Sequence, residues 1–258
     1  MQQHTPNSNL AAPVVLITGG GRGIGAASAK RFAKAGYQVV VNYLSNHQAA
    51  QALKQEIEAL GTSCMTVAAD VSNEQQVSNM FAEIKQQFGA LDVLVNNAGI
   101  LETQSRMDDI SVERFERILR TNVISCFLCA KAAVKQMSTR YGGNGGAIVN
   151  VSSGAAKSGS PNEYVDYAAS KGAMDSLTRG LALEVANEGV RVNGVRPGLI
   201  YTEMHASGGE PLRVQRLQSK IPLQRGGEAE EVAEAIFWLA SNQSSFVTGT
   251  FIDTTGGL

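Results

Sequence analysis

Short apolar runs and longer runs with helical spacing alternate along this chain. Val14–Ile17 is an apolar, β-rich run, and apolar residues at helical intervals follow it as far as Ala35. Tyr37–Asn42 predicts a second strand, Gln51–Leu60 a helix and Ser63–Ala69 a third strand. The alternation continues with a helix over Glu74–Phe88, a strand over Leu91–Val95, a long helix over Ser111–Met137, a strand over Ala147–Val151, a helix over Tyr164–Val185 and a strand over Val190–Val195. Glu228–Ser241 predicts the last helix and Thr250–Asp253 the last strand. A helix between successive strands suits parallel pairing, which needs a long crossover. The pattern therefore predicts an α/β fold, a doubly wound parallel sheet of about seven strands with helices on both faces.

No boundary or internal repeat divides the chain, so residues 13–258 read as one domain behind a polar, unpatterned leader over residues 1–12. Across residues 203–225 the pattern loosens into Gly208-Gly209-Glu210-Pro211 and a short basic helix. A stretch of that kind at the carboxyl edge of a parallel sheet suits a substrate lid. Glu203, Met204, His205 and Arg213 within it could face substrate, solvent or a neighbouring subunit, with the solvated-loop reading favoured.

Composition narrows the partners. With 43% hydrophobic and 17% charged residues the chain can bury a sizeable core. A formal charge of −1 offers no basic face for nucleic acid. No apolar run approaches the ~20 residues of a membrane helix, and the start lacks the basic-then-apolar order of a signal peptide. No membrane partner is expected, and the cytoplasm is the expected compartment. Three cysteines, Cys64, Cys126 and Cys129, are too few and too odd for a disulfide framework. Cys126 and Cys129 have C-x-x-C spacing but lie in an apolar helical run, which reads as packing. His4, His47 and His205 are scattered and suggest no metal site.

The chemistry gathers where strands end. Thr18-Gly19-Gly20-Gly21-Arg22-Gly23-Ile24-Gly25 follows the first strand and opens a helix. Glycines there permit a tight turn and let a phosphate approach the helix N-terminus. The second strand ends in Asn42-Tyr43-Leu44-Ser45, without the carboxylate that would hold the 2′-hydroxyl of NAD and repel the extra phosphate of NADP. Arg22 can pair with that phosphate, so NADP(H) is expected, with NAD(H) as the alternative. Asn96-Asn97-Ala98-Gly99 ends the fourth strand, where amides can tie strand ends together and small residues leave room for an adenine or ribose. Asn122 is a polar residue in an apolar helical span, able to break the backbone ladder and hold a water.

Tyr167 and Lys171 stand four apart on the helix from Glu163 onward and share a face. Using a phenol as an acid or base near neutrality means stabilising its phenolate by about 3 pKa units, which an adjacent lysine charge could largely supply. The pair Ser152-Ser153 upstream offers a hydroxyl for a carbonyl or carbinol oxygen.

In order and spacing, these segments resemble the short-chain dehydrogenase/reductase family over essentially everything after the leader, and are similar to its glucose- and 3-oxoacyl-type branches. The resemblance implies a Rossmann-type sheet and a nucleotide laid along Gly19, Arg22, Gly23, Ile24 and Gly25, near Asn42 and Tyr43. It implies an adenine held by Asp70 beside Val71, and Asn97, Ala98 and Gly99 along the adenosine. Pro197, Gly198, Ile200 and Thr202 would hold the nicotinamide end. By the same resemblance Tyr167 is the acid/base, Lys171 binds the ribose and lowers the tyrosine pKa, Ser153 rather than Ser152 orients substrate, and Asn122 holds a water in a proton relay. Tyr164 is no rival, because its partner position four residues on is Ala168.

The expected function is hydride transfer between a nicotinamide and a small-molecule carbonyl or secondary alcohol. A catalytically silent NADP-binding sensor has no need of the complete Asn122, Ser153, Tyr167 and Lys171 set. A cofactor-recycling epimerase or dehydratase would want a larger part after Pro197. The resemblance also implies a homotetramer that pairs the helices over Glu113–Met137 and Tyr164–Val185, and the C-terminal helix and strand.

Overall fold

The computed structural model describes residues 12–258, and residues 1–11 of the expected leader lie outside the described residues. Seven parallel strands form one sheet in the order β3-β2-β1-β4-β5-β6-β7. They are β1 Val14–Ile17, β2 Gln38–Tyr43, β3 Cys64–Ala68, β4 Val93–Asn96, β5 Gly146–Val151, β6 Val190–Pro197 and β7 Phe251–Thr254. The helices are α1 Gly23–Lys34, α2 His47–Ala59, α3 Glu74–Phe88, α4 Val112–Leu119, α5 Ser125–Met137, α6 Ala155–Ser158, α7 Val165–Val185, α8 Met204–Ser207, α9 Arg213–Leu217 and α10 Ala229–Ala240. Alternate strand residues feed two cores, because successive side chains point to opposite faces. Val14 and Leu16 join residues of α3, α5 and α7, while Val15 and Ile17 join residues of α1, α2 and α10. Both faces are therefore covered, which is why the strands read as nearly unbroken apolar runs.

The expected Rossmann-type sheet is present, and its connectivity decides where a site can form. After β1 the chain winds outward to β2 and β3, then returns to place β4 on the other side of β1. The connections diverge there and leave a crevice at the carboxyl ends of β1 and β4.

Most element ends fall within a residue or two of the sequence pattern, and two features depart further from it. α2 begins at His47, ahead of the expected Gln51, because Asn46 caps it by accepting the Ala49 N–H at 3.0 Å. The long helix ending at Met137 is interrupted in its hydrogen bonding by a π-helical turn over Arg120–Ile124. That turn contains Asn122 and joins α4 to α5 without breaking the rod. No described helix is long and apolar enough to cross a membrane.

Candidate active site

The glycine turn lies at the crevice. Gly19 and Gly23 have φ of +59° and +51°, values that side-chain-bearing residues rarely adopt. A Cβ on Gly19 would stand 3.0 Å from the Ala98 Cα, and one on Gly25 would stand 2.6 Å from Asn97 Nδ2. The glycines thus let the turn pack directly on the segment after β4. Asn97 Nδ2 donates to the Thr18 and Gly19 carbonyls, both at 3.0 Å, and Thr18 Oγ1 accepts the Asn97 and Ala98 N–H groups at 3.0 Å. Asn96 Nδ2 donates to Asn150 Oδ1 at 2.9 Å, so the paired amides tie β1, β4 and β5 together.

α2, α3 and α4 are capped by Asn46, Asn73 and Ser111, but Arg22 at the start of α1 is exposed and offers no capping bond. Free N–H groups and the helix dipole there favour an anion. This cradle fits the pyrophosphate of a dinucleotide.

The end of β2 is arranged differently from expectation. Asn42 is buried, with Nδ2 donating to the Val67 and Ala69 carbonyls at 3.3 and 3.0 Å and Oδ1 accepting the Gly19 N–H at 3.3 Å. Its side chain supports the glycine turn from within. Tyr43 instead reaches outward and shares a 2.7 Å hydrogen bond with His47 Nδ1. In sequence His47 is only one of three scattered histidines, and Tyr43 four residues before it was the available signal of this pairing. Asp70 accepts the Ser72 N–H and hydroxyl on Oδ1 at 2.9 and 2.8 Å, and Val71 is buried beside it.

Tyr167 and Lys171 meet in the interior, at 9% and 2% exposure. The helix that carries them is pinned at its start: Asp166 accepts the Tyr167 N–H at 2.9 Å and Arg114 Nε of α4 at 2.7 Å. Lys171 Nζ lies 5.5 Å from the Tyr167 ring centroid and donates to the Val151 carbonyl at 2.8 Å. Burial pushes the Tyr167 phenol up to about 12, and the Ser153 hydroxyl beside it pulls the other way. Burial also brings Lys171 down to about 8. Withdrawal from water acts on both groups and favours both neutral forms.

Ser153 is half-buried, and its hydroxyl accepts the Ala155 N–H at 3.1 Å. Ser152 is committed elsewhere, donating to Asp175 Oδ1 at 2.6 Å. Asn122 is fully buried; Oδ1 accepts the Ile100 N–H at 2.8 Å, and Nδ2 donates to the Ile100 carbonyl and Ser170 Oγ at 3.1 and 3.0 Å. A Cβ on Gly99 would stand 3.3 Å from Asn122 Oδ1 and 3.5 Å from Lys171 Nζ. That glycine is where the segment after β4 and the buried polar group come together.

The chain beyond β6 closes over the crevice. The Pro197 carbonyl accepts the Gly154 N–H at 2.9 Å, and Gly198 donates to the Thr254 carbonyl at 3.0 Å. Ile200 is buried, and the Thr202 methyl would lie 3.3 Å from a Cβ on Gly23. Within residues 203–225 Glu203 is exposed, as expected, but Arg213 is anchored rather than solvated. Arg213 is buried, pairs with Glu163 and with Glu210, the latter at 2.7 Å, and lies 4.9 Å over the Tyr164 ring. Met204 packs with Leu101, Tyr164 and Tyr167. The reason is electrostatic: two acids and an aromatic face converge on one guanidinium, a geometry that Arg favours.

Residues 19–258 match the family described as enoyl-(acyl carrier protein) reductase. The uncharacterized oxidoreductase YgfF of Escherichia coli K12 is 58% identical over 95% of this chain and 99% of its own. The 3-oxoacyl-[acyl-carrier-protein] reductase FabG of Staphylococcus aureus is 36% identical over 94% of this chain and 96% of its own. A short chain dehydrogenase from Burkholderia cenocepacia, solved in complex with NADP, superposes with a TM-score of 0.87 at 33% identity, over 95% of this chain and 97% of that one. A short-chain type dehydrogenase/reductase from Mycobacterium marinum does so with a TM-score of 0.87 at 37% identity, over 96% and 95%. With its parallel sheet, its glycine turn at the crevice and these relatives, the chain belongs to the short-chain dehydrogenase/reductase family of NAD(P)-dependent oxidoreductases.

Proposed function

We propose that this protein is an NADP(H)-dependent oxidoreductase that interconverts a small-molecule carbonyl and its secondary alcohol, with Tyr167 as acid and base. The observation that carries the reading is the grouping of buried Tyr167 and Lys171 with the half-buried Ser153 beside the crevice. When bound, the nicotinamide supplies or takes the hydride. In the reducing direction the Ser153 hydroxyl holds the carbonyl oxygen and Tyr167 gives it a proton. A phenol at about 12 still yields its proton to a developing alkoxide, which is the stronger base. Lys171, charged below about pH 8, steadies the phenolate left behind. In the oxidising direction the same phenolate takes the proton back.

The backbone around Gly19, Gly23, Ile24 and Gly25 would hold the pyrophosphate, with Arg22 and the Tyr43–His47 pair placed for a 2′-phosphate. Asp70 and Val71 would take the adenine, Asn97, Ala98 and Gly99 the adenosine side, Lys171 the nicotinamide ribose, and Pro197, Gly198, Ile200 and Thr202 the carboxamide. The absence of a carboxylate at the end of β2 and the NADP complex of the Burkholderia relative support this cofactor. A homotetramer is proposed as well: Val112, Phe115, Ile124 and Phe127 along α4–α5 and Leu183 on α7 are exposed apolar groups suited to helix pairing.

The test is nicotinamide fluorescence titration with NADPH and NADH, followed by a panel of aldehydes, ketones, sugars and oxoacyl thioesters. NADPH should bind more tightly and be oxidised by at least one carbonyl. Tyr167→Phe should keep cofactor binding and lose activity by about 100-fold or more. Activity retained in that variant would refute the role of Tyr167, and stronger NADH binding would refute the cofactor assignment.

A further inference from the structure

Behind the candidate site lies a buried carboxylate, Asp175, one turn beyond Lys171 on α7. It is 5% exposed, and its two oxygens take different partners. Oδ1 accepts the Ser152 hydroxyl at 2.6 Å, and that hydroxyl also lies 3.3 Å from the Lys171 carbonyl. Oδ2 accepts Arg196 Nε at 2.9 Å and forms an ion pair with its Nη2 at 2.8 Å. Arg196 closes β6, stacks 3.9 Å over the Phe251 ring and reaches Asp253 at 3.4 Å. One carboxylate thus joins the exit of β5, the Lys171 turn of α7 and the exit of β6. The residues flanking Ser152 both matter to the site: the Val151 carbonyl receives Lys171 Nζ, and Ser153 stands beside the Tyr167 phenol.

Stability alone is a poor reason for such a group, since a buried ion pair is often no better than a hydrophobic replacement. We propose that Asp175 is a positioning residue, seating the Val151–Ser153 segment against the Lys171 turn through Ser152 and favouring the Lys171 ammonium by its charge. The groups facing Lys171 are Tyr167 and Asp175 on its own helix, Cys126 on α5, the Val151 carbonyl on β5, and Asn122 across Gly99. The Cys126 thiol is pushed up to about 12 by burial and is neutral through the working range. Asp175 is therefore the anion that acts on this ammonium, offset in part by Arg196. The consequence for turnover rests on the proposed catalytic reading; the effect on Lys171 does not.

The experiment is an NMR titration of the full chain carrying 15N at lysine Nζ, with the Lys171 signal assigned by its loss in Lys171→Met. Asp175→Asn should lower the Lys171 midpoint by about one unit. A purely structural role predicts the reverse, because a loosened site admits water and restores the charged form. An unchanged or raised midpoint overturns the proposal. Should that variant not fold, Arg196→Gln leaves the carboxylate uncompensated and should raise the midpoint; no movement there overturns it too. Ser152→Ala keeps the charge but cuts the link, so the midpoint should hold while kcat falls about tenfold. Unaltered kcat in a protein that Tyr167→Phe inactivates would remove the seating role. If no substrate is turned over at all, the catalytic reading fails, and the lysine titration still decides what Asp175 does.

Discussion

Asn97 donates its side-chain amide to the Gly19 carbonyl at 3.0 Å, across the point where the winding of the sheet reverses. A Cβ on Gly25 would lie 2.6 Å from that same amide nitrogen and 2.7 Å from that carbonyl. Neither is the free end of a long side chain, so Gly25→Ala must push the turn away from the segment after β4. Thermal unfolding should show a loss of about 1–3 kcal/mol. Fluorescence titration should show cofactor affinity at least tenfold weaker, about 1.4 kcal/mol. Wild-type affinity in Gly25→Ala would mean that the turn is not the phosphate cradle.

Much of this arrangement was legible in the sequence, and the illegible parts share a cause. Val14–Ile17 followed by Thr18–Gly25 could be placed because strand, glycine turn and helix are contiguous and each has its own local signal. Tyr167 and Lys171 could be paired because helical spacing alone brings them to one face. Asn42 could not be oriented, since which face of a strand end turns inward is settled by Gly19 and Ala69, distant in sequence. Arg213 read as solvated because its partner Glu163 stands 50 residues earlier. How deeply Tyr167 and Lys171 are buried was not legible, because proximity is a property of the helix, whereas burial is a property of the whole fold.

Tyr164 carries the clearest local imperfection. It is 3% exposed, and its buried hydroxyl has no hydrogen-bond partner among the described residues. Burial raises its pKa, so the phenol stays neutral and its polar group contributes only a desolvation cost. Tyr164→Phe should fold normally and be neutral or more stable by up to about 1 kcal/mol in denaturant titration. A loss of more than that would show a partner for the hydroxyl in solution.

Arg213 ties down the segment over residues 203–225. Its guanidinium joins Glu163, just before α7, to Glu210 between α8 and α9, and Gln104 Nε2 adds a 2.9 Å bond to Glu210. Arg213→Ala removes the one cation, among the described residues, shared by both acids and the face of the Tyr164 ring. The expected result is a loss of about 1–3 kcal/mol in stability, discounted for the half-exposed acids, and faster proteolysis between residues 203 and 225. Substrate KM should rise about three- to tenfold with a smaller change in cofactor affinity. Equal effects on both would place Arg213 in the cofactor cradle instead.

Lys171 should cost the fold stability at neutral pH. Its pKa falls from 10.5 to about 8 on burial, so folding favours the neutral amine. Below pH 8 both folded and unfolded chains carry the proton and the full penalty applies. Between about 8 and 10.5 the unfolded chain binds a proton that the folded chain has released, and the lysine's contribution to stability rises with pH. Lys171→Met removes the charge and should stabilise the protein at pH 7 by about 1–3 kcal/mol, the lower end allowing for loss of the Val151 hydrogen bond. The difference between variant and wild type should shrink as pH rises through that window. Urea titrations of both proteins at pH 7 and pH 10 measure it directly. A variant less stable at pH 7, or a gap that ignores pH, would mean that water or a counter-charge already relieves the buried ammonium.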